Sequence, residues 1–133
     1  MNVALWIAQG LLALAFFGSG FTKLKDDRLT YARTRPPMTS FAEDLSDRTF
    51  KTIGVLELLG AIGLVLPRVT GIAPVLTSLA ALGFVGLMIG AIVTHVRRGE
   101  QKLIGFNVAL LLLALFVFWG RGVEVLLGND AAA

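Results

Sequence analysis

Four apolar runs divide the chain, over roughly Asn2–Leu24, Phe50–Leu66, Gly71–Val96 and Leu103–Leu127. A helix needs about 20 mostly apolar residues, with a range of roughly 17–25, to cross the hydrocarbon of a bilayer. The pattern therefore predicts an all-α, polytopic membrane four-helix bundle, with residues 1–133 as a single domain and no separate soluble unit. The first run has no Lys or Arg before Leu5 and no small-residue cleavage site, so it reads as a retained helix rather than a cleaved signal.

Polar positions inside the runs recur at helical spacing. In the first, Gln9, Phe16, Gly20 and Lys23 share one face, which is expected to point into the bundle, with Leu11, Leu14 and Phe17 turned outward. In the second, Glu57 has Gly54, Gly60, Ala61 and Leu64 as neighbours on its face. Small residues allow close helix approach, so Glu57 should meet protein rather than lipid. In the third, His95 lies on a face with Ala91, Met88, Phe84 and Thr77, while Gly86, Gly90 and Thr94 mark a packing stripe. The fourth carries Asn107 near its start and Trp119 with Arg121 near its end, the latter two reading as an interfacial anchor pair.

Punctuation between the runs is sparse. Pro67 should close the second span and Pro74 should sit in the first turn of the third. Residues Lys25–Thr49 form the only long loop, broken by Pro36-Pro37. Ser40-Phe41-Ala42-Glu43 fits a capping box and predicts a short interfacial helix at about Phe41–Arg48. Ala131–Ala133 is expected to be a frayed tail.

Charge sets the expected orientation. Seven of the twelve basic residues lie between spans one and two and three between spans three and four, leaving Arg68 and Arg121 on the other side. By the positive-inside rule the two basic loops are cytoplasmic and both termini outside, in a bacterial plasma membrane. The net charge of +3 is thus a topology signal and does not imply nucleic acid. With no cysteine and one histidine, the chain excludes disulfides, thiolate or multi-histidine metal sites and dithiol relays, and no metal is expected. No P-loop, Rossmann fingerprint or nucleophile elbow is present.

Counting from the cytoplasmic edge brings Lys23, Glu57, His95 and Asn107 to one depth, Glu57 lying roughly 9 Å beyond Lys51 at 1.5 Å per residue. A charge at the centre of a membrane helix costs about 2.5–3.5 kcal/mol on insertion scales, so such groups usually have a partner or a task. Each also has a plainer reading. Lys23 suits a snorkelling anchor, His95 a headgroup-level residue, Asn107 an interhelical hydrogen bond, and Glu57 a pairing with Lys23 or His95 that only fixes the bundle. Gln9, Phe16, Lys23, Glu57, Met88, His95 and Asn107 together describe a candidate ligand-binding cavity with a polar floor and apolar walls.

Three segments, Phe17–Leu24 (FGSGFTKL), Gly54–Pro67 (GVLELLGAIGLVLP) and Met88–Glu100 (MIGAIVTHVRRGE), resemble the DoxX-like family of small bacterial membrane proteins in order and spacing. The resemblance implies four transmembrane helices and functional weight on Lys23, Glu57 and His95. It further implies a quinone-contacting role beside membrane redox subunits, whereas the absence of cysteine argues against thiol chemistry within the chain. The leading expectation is a protein that binds a quinone or similar apolar molecule and supports a membrane redox system. Its partners would be membrane lipids and other redox subunits or a second copy of the chain. A structural or assembly subunit and a small proton-coupled transporter are the alternatives.

Overall fold

The computed structural model describes residues 1–128, so the Ala131–Ala133 tail lies outside the described residues. Five α-helices are present among these: α1 (Asn2–Lys25), α2 (Arg28–Thr34), α3 (Asp47–Thr70), α4 (Val75–Arg98) and α5 (Gln101–Leu126). Helices α1, α3, α4 and α5 are each long and apolar enough to cross a membrane. At 24 residues, α1 spans about 36 Å at 1.5 Å per residue, enough for a hydrocarbon core of about 30 Å. The protein is a multi-pass, all-α membrane bundle.

The four long helices form a closed ring in the order α1, α3, α4, α5, so chain neighbours pack against each other and α5 returns to α1. Each turns one stripe inward. Leu12, Phe16, Ala61, Leu64, Ala81, Phe84, Ala114 and Val117 make the buried core, while Leu14, Leu59, Leu79 and Leu112 face outward. Outward leucines are expected where the surroundings are as apolar as the protein interior.

Helices α1 and α3 meet backbone to backbone. A Cβ added to Gly20 would lie 2.7 Å from the Gly54 carbonyl oxygen, and one added to Gly54 would lie 2.9 Å from Lys23 Cβ. Two glycines facing each other thus let the backbones meet where Lys23 and Glu57 must reach one another.

The first loop departs from expectation. Instead of a helix over 41–48, residues Ser40–Asp44 form a 3-10 turn without the Ser40–Glu43 capping box. Ser46 is the N-cap that forms, its hydroxyl accepting from the Thr49 N–H and starting α3 earlier than the apolar pattern indicates. Helix α2 was not anticipated; Asp27 caps it by accepting from the Thr30 N–H at 3.3 Å. Tyr31, Ala32, Ala42 and Phe50, with Phe41 and Leu45 at their edge, form a second small core. The loop is therefore a folded cap over one end of the bundle. Lys51 ties the cap down, donating to the carbonyls of Lys23, Leu24 and Asp26 at the C-terminus of α1.

Pro67 does not close the second span. Helix α3 runs through it to Thr70 and ends at Gly71, whose φ of 71° makes the left-handed cap. Proline removes one ladder bond, and the ion pair of Arg68 with Glu124 on α5 holds the following turn in place. Residues 71–74 are then a tight connection, and Pro74 stands just before α4, which starts at Val75 rather than Gly71.

Candidate functional site

Two polar centres occupy opposite ends of the bundle. At the capped end Lys23 Nζ lies 2.8 Å from Glu57 Oε1, both side chains almost wholly buried. Side chains on a helix tilt toward its N-terminus, so Lys23, near the end of α1, reaches back into the membrane rather than out to water. It also donates to Ser19 Oγ at 2.6 Å and lies 5.1 Å from the Tyr31 ring centroid and 5.8 Å from that of Phe41. The ammonium is held by a carboxylate, a hydroxyl and two aromatic faces.

His95 stands close by. Its ring meets Phe41 edge-on at 5.8 Å, and its Nδ1 is 2.8 Å from Glu100 Oε1. Glu100 also accepts from Arg98 Nε at 3.2 Å, and Arg98 Nη1 reaches Asp44 Oδ2 on the cap at 2.6 Å. The chain His95–Glu100–Arg98–Asp44 therefore joins the α4–α5 corner to the cap. Asn107 departs from expectation: its amide donates to the Leu103 carbonyl one turn back at 2.9 Å and makes no bridge between helices.

Lys23, Glu57, His95 and Asn107 line one cavity of about 780 Å³. Its walls are mainly apolar, with Phe16, Leu56, Leu87, Met88, Phe106 and Leu110, and Tyr31, Thr39 and Phe41 of the cap close its outer end. Phe16 marks the inner end, stacked on Phe84 with ring centroids 3.9 Å apart and planes 14° from parallel. Six of the seven candidate ligand residues (Phe16, Lys23, Glu57, Met88, His95 and Asn107) share this space. The cap residues Tyr31 and Thr39 carry no hydropathy or motif signal and Phe41 only a capping-box one, so the fold alone brings all three to the cavity.

Gln9 is the exception. It is fully buried at the other end of the bundle, donating to the Leu64 carbonyl at 2.5 Å and accepting from Arg121 Nε at 2.6 Å. Its position on the Lys23 face is correct, but more than a dozen residues of helix separate the two. Arg121 is likewise no interfacial anchor: it is wholly buried, with Nη1 2.8 Å from both Asn2 Oδ1 and Glu124 Oε2. Glu124 also pairs with Arg68 at 3.0 Å. Hydropathy near a span end is the same for a snorkelling arginine and a paired one, so only the fold separates them. Among the described residues no three His, Cys, Asp or Glu side chains come together as a metal site.

Residues 7–117 match the DoxX-like family. The chain belongs to that family. No curated protein and no solved structure matches it. The matched range of this DoxX-like protein includes the whole Lys23–Glu57 pair, His95, Asn107 and the cap, and stops before Arg121 and Glu124.

Proposed function

We propose that this DoxX-like protein binds a quinone, or a similar apolar molecule with a carbonyl- or hydroxyl-bearing ring, and thereby supports a membrane redox system. The observation that carries the reading is the cavity itself: about 780 Å³ of space beside a buried ion pair, with mainly apolar walls. Ligand sites generally combine a few converging polar groups with apolar surface. A ring carbonyl beside Lys23 would accept from its ammonium. A second ring carbonyl would accept from the other N–H of Asn107, and a ring hydroxyl would donate to Asn107 Oδ1 or His95 Nε2, because Asn107 uses only one N–H on Leu103 and His95 its Nδ1 on Glu100. Electrons would come from a partner protein in the same membrane.

Orientation is part of the proposal. Arg68 and Arg121, the two basic side chains at the uncapped end, are both buried, while Lys25, Arg33, Arg35, Arg48, Arg97 and Lys102 are exposed at the capped end. That bias supports a cytoplasmic cap and outward termini in a bacterial plasma membrane. The chain has no cysteine, so single cysteines at Asn2 and Ser46 can be labelled from either side. Ser46 labelled only from the cytoplasm supports the orientation, and the reverse inverts it.

The functional test is chemical analysis of what copurifies. A stoichiometric quinone or terpenoid in the parent, absent from Glu57→Gln, supports binding. A ligand-free protein that always copurifies with another membrane subunit favours an assembly role, for which the Lys23–Glu57 pair would be a clamp between α1 and α3.

A further inference from the structure

The cavity's inner end is shut. Phe16 and Phe84 are stacked across the bundle axis, and beyond them Leu12, Ala61, Leu64, Ala81 and Val117 are packed without exposure. A ligand longer than the cavity therefore cannot extend further along the axis. A second hollow of about 420 Å³ lies on the outer face of the bundle, in the seam between α3 and α4. Its lining is wholly apolar and includes Leu59, Gly63, Leu76 and Leu79. The two spaces share Leu56, Gly83 and Leu87, so they adjoin at one place on the membrane-facing surface. Leu56 and Gly83 are exposed there, and a Cβ added to Gly83 would meet nothing within 4 Å. From Leu56 to Gly63 the hollow follows α3 for roughly 10 Å, at 1.5 Å per residue.

We propose that the ligand is an amphipathic molecule with one long apolar tail: its polar ring sits beside Lys23 and Glu57, and its tail leaves through the Leu56–Gly83–Leu87 opening to lie in the α3–α4 seam. This rests on the ring-binding reading above and adds a tail-length preference and a route from the bilayer. Gly83 is the specificity-determining position, because a side chain there would fill the opening without displacing any part of the bundle.

The test uses the full-length protein in nanodiscs and two naphthoquinone probes, one with a long polyisoprenoid tail and one with a methyl group in its place. The parent should bind both, the long-tailed probe more tightly. Gly83→Leu should weaken the long-tailed probe by about tenfold or more, each tenfold being 1.4 kcal/mol, and weaken the methyl probe far less. Leu59→Trp, in the part of the seam beyond the opening, should repeat that pattern from the α3 side, which guards against a folding defect peculiar to one variant. Equal loss of both probes, or no change in either, overturns the tail route. A gain for the long-tailed probe in Phe84→Ala with Gly83→Leu silent also overturns it, placing the tail on the axis. Retained long-tailed binding in Gly83→Leu, with bilayer acyl chains still occupying the seam, assigns the groove to lipid and overturns the proposal. If the parent binds neither probe, the ring-binding reading itself fails, and the tail route falls with it.

Discussion

The two ends of the bundle hold comparable buried charge and treat it differently. At the uncapped end Arg121, Gln9, Asn2, Glu124 and Arg68 are joined side chain to side chain, and the Gln9 amide also donates to Leu64 O. None of these residues lines either hollow. At the capped end Lys23 and Glu57 pair, yet open space lies beside them. A buried network with no room around it fixes helices; a buried pair bordering a void also presents its polar atoms to something else. On the proposed function, architecture belongs to one end and ligand chemistry to the other.

The largest expected effect tests the architectural end. Arg121→Leu would leave Gln9 Oε1 and Asn2 Oδ1 without their donor and Glu124 with Arg68 alone, and breaking a buried ion pair typically costs about 3–5 kcal/mol. Unfolding in a denaturing-detergent titration should show that loss, while Glu57→Leu, at the edge of a cavity, should lose less. Equal losses would remove the contrast between the ends.

The next effect comes from the α1–α3 contact. Gly20→Val would press a side chain onto the Gly54 carbonyl, which a Cβ alone would approach to 2.7 Å. Overpacking of this kind usually costs about 1–3 kcal/mol, and here it should also separate Lys23 from Glu57. A stability loss without a change in ligand binding would show that the pair tolerates the wider spacing.

Smaller effects are expected in the cap. Arg98→Ala removes the bridge to Asp44, whose side chain is 56% exposed, so stability should fall by no more than about 1 kcal/mol. Faster amide exchange over Ser40–Asp44 would show the cap loosening, and unchanged exchange would mean the aromatic contacts alone hold it.

The smallest effect concerns Asp27, which is held below the ordinary carboxylate value of 3.8 by the Thr30 hydroxyl and then the Thr30 amide. Its folded pKa is lowered, so its contribution to α2 is full above 3.8 and disappears as pH falls through the folded value. Exchange of the Thr30 amide should rise in that acidic window and not above it.

The four spans were legible because apolar length is read directly from sequence, and the inward faces followed from helical spacing and from the glycines beside Glu57. The Lys23–Glu57 partnership was among the anticipated pairings. What escaped has a common physical origin. Helix α2 is only seven residues long and owes its place to the Tyr31–Phe50 contact rather than to periodicity. Gln9 meets Arg121 across 112 residues of chain, and no local pattern encodes that distance. Ser46 outcompeted Ser40 as a helix cap because the Ser40 backbone is committed to the 3-10 turn, a tertiary outcome. Pro67 marked a weak point in a helix that packing carried onward.

Binding of a short-tailed benzoquinone to the full-length protein in nanodiscs, compared among the parent, Glu57→Gln and Arg121→Gln, tests the division of labour most directly. Glu57→Gln is expected to fold and to lose binding, whereas Arg121→Gln should be less stable yet bind with the parental Kd in its folded fraction. Parental binding by Glu57→Gln, or parallel loss in both variants, would contradict the assignment of ligand chemistry to the capped end.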